Sequence, residues 1–177
     1  MAKCGGAPWL KSDQPRHPDT PDGHLVGYVA SPYSAADSEG CPPSWNLKQW
    51  RAEAAAMFAR ICLDAGIAVF CPIAHAMPIV AAKPAIYPGD WRYWKRIDAP
   101  MVARSDFLLV LELPGFRESH GIESEEHLAR LHGKPIIHCP GEPHEWPAFV
   151  SRLSAQLNRY GVEATEEIVE WTRQVKQ

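Results

Sequence analysis

The chain of 177 residues lacks several features that define large classes of protein. No apolar run approaches the roughly 20 residues that a membrane-spanning helix needs, so a membrane protein is not expected. The 18 basic and 21 acidic residues leave a net charge of −3, without the basic excess that binding to a nucleic-acid polymer requires. The five cysteines include no close pair, which predicts free thiols in a reducing cytoplasm.

The common catalytic and cofactor-binding motifs are also absent. Neither a GxGxxG motif nor a P-loop follows the first apolar run, and the GxSxG motif of serine hydrolases does not occur. The eight histidines include no HExxH motif and no spacing typical of a metal site. We therefore expect neither a metal ion nor an organic cofactor, and any chemistry must come from side chains alone.

Apolar segments and helical patterns alternate along most of the chain. Residues 1–23 are rich in glycine, proline and charged residues without periodicity, which predicts a flexible arm before a single domain at 24–177. The predicted strands are apolar throughout, as in parallel sheets with helices on both faces. We predict an α/β fold, a flavodoxin-like or Rossmann-like three-layer sandwich with a parallel sheet of about five strands. The strands identified are 25–30, 67–73, 106–113 and 134–139.

The helical periodicity is clear in some segments and ambiguous in others. Apolar residues recur at three-and-four spacing over 47–61, which predicts an amphipathic helix. Three prolines predict mainly irregular structure over 75–89. In the helical segment that follows, Pro100 either kinks the helix or lies in the first turn of a second one capped by Asp98. Further helices are predicted at 121–132, 145–159 and 163–175.

Three glutamates lie at the start of a predicted helix, just beyond the carboxyl end of a strand. Parallel sheets bind ligands at such ends, and the same rule marks the segments 28–34 and 71–75 as further candidate positions. Acidic residues are common in a first helical turn because they complement the helix dipole. Ile122 and Ala129, seven residues apart, mark the buried face, and two glutamates follow Ile122 by three and four residues. At least one carboxylate therefore points inward, where it must be paired or take part in chemistry. The three are Glu123, Glu125 and Glu126.

Four blocks of the sequence, together spanning about 25–139, resemble the nucleoside 2-deoxyribosyltransferase superfamily in their order and spacing. A further segment, CPIAH at 71–75, is similar to a subgroup that carries a Tyr-x-Ala-Ser-Pro-Tyr-Ser motif. The four blocks are LVGYVASPYS at 25–34, Asp98 with Asp106, the set Ser119, Gly121, Glu125 and Ala129, and GKPI at 133–136.

The resemblance implies chemistry at an N-glycosidic bond. Glu125 matches the glutamate that attacks the anomeric carbon and forms a covalent glycosyl-enzyme, a role that suits a carboxylate. Tyr28 matches a tyrosine whose hydroxyl orients that carboxylate. Asp98 matches an aspartate near the sugar or base, suited to proton transfer to the leaving base. The residues alone leave Tyr28 open as a packed core residue, and Asp98 open as a helix cap.

Ser119 bears on the substrate that the resemblance implies. The related 2′-deoxynucleoside 5′-monophosphate N-hydrolases carry serine at this position, whereas the transferases carry aspartate. A hydroxyl beside a helix N-terminus can bind a phosphate that aspartate would repel. We expect Gly121 in the same site and Ser31, Ser34 and Arg117 as further contacts. His75 is a candidate for stacking on a base, together with two nearby tryptophans that are equally suited to a core or an interface.

The expected ligand is therefore a nucleoside or its 5′-monophosphate. Enzymes of the superfamily commonly complete their sites with a neighbouring subunit, which implies a homo-oligomer. The alternative, on the same fold, is a non-catalytic module that binds or senses a nucleotide, since a fold does not fix a function.

Overall fold

The predicted apolar runs form a parallel sheet at the centre of the molecule. Its strands are β1 (Val26–Ala30), β2 (Ala68–Phe70), β3 (Phe107–Leu111) and β4 (Ile136–Cys139). In the computed structural model, which describes residues 25–36, 40–82 and 91–160, the strands lie in the order β2-β1-β3-β4. All neighbouring pairs are parallel. The predicted arm at 1–23 and the predicted helix at 163–175 lie outside the described residues.

Helices cover both faces of this sheet. The helices are α1 (Trp45–Asp64), α2 (Pro72–Ala82), α3 (Trp91–Arg104), α4 (His120–Leu131) and α5 (Trp146–Tyr160). On one face, side chains of β1, β3 and β4 pack with those of α1 and α5, including Phe58 and Trp146. On the other face, Tyr28 and Val110 pack with α3 and α4. The predicted α/β three-layer sandwich, of the flavodoxin-like or Rossmann-like type, is thus confirmed.

The sheet in the described part of the chain has four strands, one fewer than the predicted five. After Cys139 the chain passes through a short 3-10 turn at Pro143–Glu145 and enters α5. The apolar residues of α5 that join the core recur at helical spacing. No described segment after β4 therefore has the pattern of a further strand.

Two predictions around the prolines were wrong. The second strand ends at Phe70, because Pro72 begins α2, and the stretch predicted to be irregular from residue 75 is helical as far as Ala82. Proline is well suited to a first helical turn, where its missing N–H has no helical acceptor to lose. Pro100 lies inside one continuous helix, so Asp98 is an interior residue of α3 and not a cap.

The described helices give no candidate for a membrane span, since none combines sufficient length with sufficient apolar character.

Candidate active site

A cavity of about 270 Å³ opens at the carboxyl edge of the sheet. This volume is close to the lower end of the roughly 300–1,000 Å³ typical of small-molecule sites. Its walls come from the loop after β1, from α2 and α3, and from the start of α4. The lining residues are Ser31, Tyr33, Ser34, Ala35, Pro72, Ile73, Ala76, Met77, Val80, Trp94, Asp98, Glu118, Ser119, His120, Gly121 and Glu125.

Glu125, which lines this cavity, is hydrogen-bonded to a buried tyrosine that is not itself among the lining residues. The Tyr28 hydroxyl donates to Glu125 Oε1 at 2.6 Å, although the residues are 97 positions apart in the chain. Tyr28 is fully buried on the sheet face that α3 and α4 cover, and Glu125 is 5% exposed. Glu125 follows the buried Ile122 by three residues, so the helical repeat places both on the inner face of α4.

Asp98 brings a second buried carboxyl group to the same tyrosine. It lies on α3, is 6% exposed and lines the cavity four residues after Trp94. The Tyr28 hydroxyl also interacts with the Asp98 carboxyl. One phenol hydroxyl is therefore hydrogen-bonded to Glu125 and also close to the Asp98 carboxyl group.

Burial shifts the proton equilibria of all three groups. Loss of solvent raises the pKa of Glu125 to about 8, with the Tyr28 hydrogen bond opposing the rise and the Asp98 charge adding to it. Burial also raises the pKa of Asp98 to about 6, again opposed by Tyr28. The pKa of Tyr28 is well above its usual value, chiefly through burial and the Glu125 charge, so Tyr28 stays a donor. Near neutral pH the two carboxyl groups together hold about one proton.

Of the three clustered glutamates, only Glu125 lines the cavity. The Glu126 carboxylate is held by Arg130 at 2.5 Å and lies 3.6 Å from His138 Nε2. Glu123 is on the surface, with its side chain 80% exposed, 3.5 Å from His120. The two neighbours therefore have ordinary structural surroundings, and Glu125 is the one buried beside a ligand-sized space.

Two serines add polar groups to the cavity. Ser31, 9% exposed, follows β1 directly, and its buried Oγ has no hydrogen-bond partner among the described residues. Ser119 is the N-cap of α4, where its Oγ accepts a hydrogen bond from the Ile122 amide at 3.3 Å. The His120 and Gly121 amides precede the first backbone hydrogen bond of α4, which runs from the Glu123 amide to the Ser119 carbonyl oxygen at 3.0 Å. This end of the cavity can therefore donate hydrogen bonds to an oxygen-rich group.

The remaining predicted contacts are divided between the cavity and the surface. Ser34 lines the cavity. His75 is exposed on α2, with its ring 5.6 Å from that of Phe70, and it is not among the lining residues. Arg117 is likewise exposed and outside the lining, with its guanidinium 5.4 Å from the centre of the Phe116 ring. The structure thus does not bring His75 or Arg117 to the cavity wall.

An apolar wall of the cavity escaped the sequence reasoning. Ile73, Ala76, Met77 and Val80 form a stripe on α2 at helical spacing, and Trp94 of α3 joins them in the lining. The spacing was present in the sequence, but the prolines around it favoured an irregular segment. This wall gives the cavity an apolar side next to its polar groups.

The cavity holds no cluster of metal-ligand type, and the described residues as a whole contain no group of three or more His, Cys, Asp or Glu side chains placed to hold a metal ion. The carboxyl and imidazole side chains that line the cavity are those of Asp98, Glu118, His120 and Glu125, of which Asp98 and Glu125 are buried.

Comparison with known families places this site inside the region of the chain that one family model matches. A family model described as a domain of unknown function, DUF1937, matches residues 26–140, which include β1 through β4 and every residue that lines the cavity. A comparison with curated proteins finds no match. Since the matched region is more than half of the chain, the protein belongs to the DUF1937 family.

Proposed function

We propose that this protein cleaves or transfers the N-glycosidic bond of a 2′-deoxynucleoside or its 5′-monophosphate through a covalent intermediate on Glu125. The observation that carries the proposal is the buried Tyr28–Glu125 hydrogen bond with Asp98 beside it. A buried carboxyl group with a raised pKa costs stability, and a merely structural role would be met as well by glutamine. A cavity that reaches this carboxyl group supports a reactive role instead.

The pair reacts in the form that carries its one proton on Asp98, and in the first step the ionised Glu125 oxygen attacks the anomeric carbon of the bound sugar. The carbon–nitrogen bond breaks with its electron pair moving to the base, and Asp98 supplies the proton that the departing base nitrogen needs. Tyr28 holds the attacking carboxylate in one orientation through its 2.6 Å hydrogen bond. The products of this step are a free base, an ionised Asp98 and a glycosyl ester on Glu125.

In the second step, an acceptor displaces Glu125 from the anomeric carbon. Asp98, now ionised, removes a proton from the acceptor as the new bond forms, which restores both carboxyl groups to their starting states. Water as acceptor gives the free sugar or sugar phosphate, and a second base gives a new nucleoside. Hydrolysis and transfer thus share Glu125, Tyr28 and Asp98 and differ only in the acceptor.

The polar end of the cavity favours a substrate that carries a 5′-phosphate. The α4 N-terminus offers backbone amides, and the Ser119 hydroxyl can donate to a phosphate oxygen while it accepts from Ile122. The partnerless Ser31 Oγ supplies a further buried donor. Because Arg117 is outside the lining, neutral donors would hold the phosphate, with the exposed Glu118 at the edge.

The apolar wall suits the leaving base. Aliphatic groups of α2 and the Trp94 ring can pack against the flat face of an aromatic base. Such packing stabilises the bound base through stacking and through removal of apolar surface from water. The proposed partner is accordingly a small nucleoside or nucleotide and not a nucleic-acid polymer. Cys62 and Cys71 are buried free thiols, which supports the cytoplasm as the proposed location.

Release of free base tests the proposal. The four common 2′-deoxynucleosides and their 5′-monophosphates are incubated with the protein, and the base is measured by chromatography. We expect release by the wild type and by Glu123→Gln and Glu126→Gln, but a loss of at least about a thousandfold in Glu125→Gln. Binding of a nucleotide that stays intact would instead favour the sensing module. Equal release by Glu125→Gln and the wild type would refute the role of Glu125.

A further inference from the structure

A buried arginine connects the two loops at the polar end of the cavity. Arg51 lies on α1 and is fully buried. Its Nη1 donates to the carbonyl oxygens of Tyr33 at 3.0 Å and Ala35 at 2.7 Å, and its Nη2 donates to the carbonyl oxygen of Pro114 at 2.6 Å. A guanidinium removed from water needs such compensation, and its planar fork can serve several acceptors at once.

The acceptors of Arg51 belong to two segments that line the cavity. Tyr33 and Ala35 lie in the loop at 31–36, which also carries Ser31 and Ser34. Pro114 lies in the loop at 112–119, which ends at the cap residue Ser119. One side chain on α1 therefore fixes the spacing of two loops that are far apart in the sequence.

Gly115 gives independent support for this arrangement. It has a φ of +86°, a conformation that residues with a Cβ rarely adopt. A Cβ built on Gly115 would overlap the Arg51 guanidinium and the Ala36 carbonyl oxygen. The loop at 112–119 can thus approach both Arg51 and the first loop only because this position lacks a side chain.

We propose that Arg51 is a positioning residue that holds Ser31 and Ser119 at the spacing needed to bind the phosphate end of the substrate. The inference rests on the proposed function and deepens it. Tyr28, Asp98 and Glu125 lie on β1, α3 and α4, whereas the Arg51 acceptors lie on the two loops. Loss of the Arg51 contacts therefore weakens substrate binding more than it slows the reaction of bound substrate.

Hydrogen exchange tests the positioning role without any activity. Arg51→Lys keeps the charge, but an ammonium group cannot reproduce the fork that reaches all three carbonyls. We expect the backbone amides of 31–36 and 112–119 to exchange roughly tenfold faster or more, with β3 unchanged. The control is Arg60→Lys on the same helix, whose side chain is 74% exposed and pairs with Asp64. If the amides of both loops in Arg51→Lys exchange at the same rate as in the wild type, the proposal is overturned.

Kinetics with the best 5′-monophosphate of the substrate panel tests the functional part. We expect Arg51→Lys to raise KM roughly tenfold and to change kcat by less than about threefold. Mere destabilisation would lower the active fraction, so it would reduce the apparent kcat and leave KM unchanged. Unchanged KM despite faster loop exchange would therefore overturn the role in binding.

Gly115→Ala disturbs the same contact with Arg51 in place and must give the same pattern of exchange and KM. If neither variant folds while Arg60→Lys does, Arg51 is a general structural support and the proposal is refuted. A wild type that releases no base would refute the proposed function, while loop exchange would still decide whether Arg51 positions the loops.

Discussion

At the scale of single residues, the proposed chemistry depends on one phenol hydroxyl that is close to two buried carboxyl groups. Tyr28 can donate one proton, and it donates to Glu125 at 2.6 Å. A nucleophile must be ionised and an acid must be protonated, so the reactive pair holds one proton. Because the raised pKa values are about 6 for Asp98 and about 8 for Glu125, the pair holds one proton between those values, mainly on Glu125, and the reactive form arises when that proton moves to Asp98.

The pH dependence of kcat/KM should therefore be bell-shaped, with limbs near pH 6 and pH 8. Below the first limb both carboxyl groups are protonated, and above the second both are ionised. Asp98→Asn removes the acid, so we expect activity to fall by about a hundredfold or more and the limb at high pH to disappear. A wild-type profile that stays flat from pH 5 to 9 would contradict this assignment of the two carboxyl groups.

Glu125 should also lower stability as the pH rises. A carboxyl group with a pKa raised from 4.5 to about 8 binds more protons folded than unfolded between those values, so the free energy of unfolding decreases with pH across this window. Glu125→Gln removes the effect and keeps an acceptor for Tyr28. We expect the variant to be about 2–4 kcal/mol more stable than the wild type at pH 9, with little difference at pH 4.5.

Denaturant unfolding at the two pH values measures this difference. Glu123→Gln, on the same helix but with its side chain 80% exposed, is the matched control and should change stability little at either pH. A Glu125→Gln protein less stable than the wild type at pH 9 would show that the ionised carboxylate supports the fold.

At the scale of secondary-structure elements, the N-terminus of α4 is the part of the fold on which the proposed preference for a phosphate depends. Ser119 is both the helix cap and part of the cavity wall. The sequence predicted the α4 start closely, because a capping serine and an inward apolar spacing agree there. It failed for α2, where prolines concealed a helix, and it missed Arg51, since a charge on an amphipathic helix usually lies on the solvated face.

Ser119→Asp separates the two roles of this residue. Aspartate caps helices about as well as serine, so the helix start and the fold should be retained. A negative charge beside the phosphate costs about 1–4 kcal/mol at surface-like dielectric, which corresponds to roughly a tenfold to several-hundredfold weaker interaction. We expect kcat/KM to fall by such a factor for a 5′-monophosphate and little for the matching nucleoside. Equal losses for both substrates would leave no support for a phosphate site.

At the scale of the whole molecule, the site draws on nearly every element that the sheet brings together. Tyr28 comes from β1, Asp98 from α3 and Glu125 from α4, and the loops are joined through α1. Sequence resemblance identified these three residues, but only the topology explains why positions 97 apart share a hydrogen bond. Contacts of this range depend on the strand order, which local patterns of residues do not encode.

The surface of α1 supports the prediction of a homo-oligomer. Trp45 is 63% exposed, Met57 47% and Trp50 40%, which is a large apolar surface for one helix. We expect light scattering at micromolar concentration to give a mass of at least two chains, and Trp45→Lys to lower it. The control is Glu53→Gln, exposed on the same helix. A monomeric mass for the wild type under these conditions would contradict the prediction.

The central claim, a covalent glycosyl ester on Glu125, is tested most directly by the stereochemistry of the product. Methanol added to the reaction competes with water as acceptor and gives a methyl glycoside whose anomeric configuration NMR can assign. Two successive displacements retain the configuration, so we predict the β-anomer from a β-nucleotide. The α-anomer would show a single direct displacement of the base and would contradict the covalent role of Glu125.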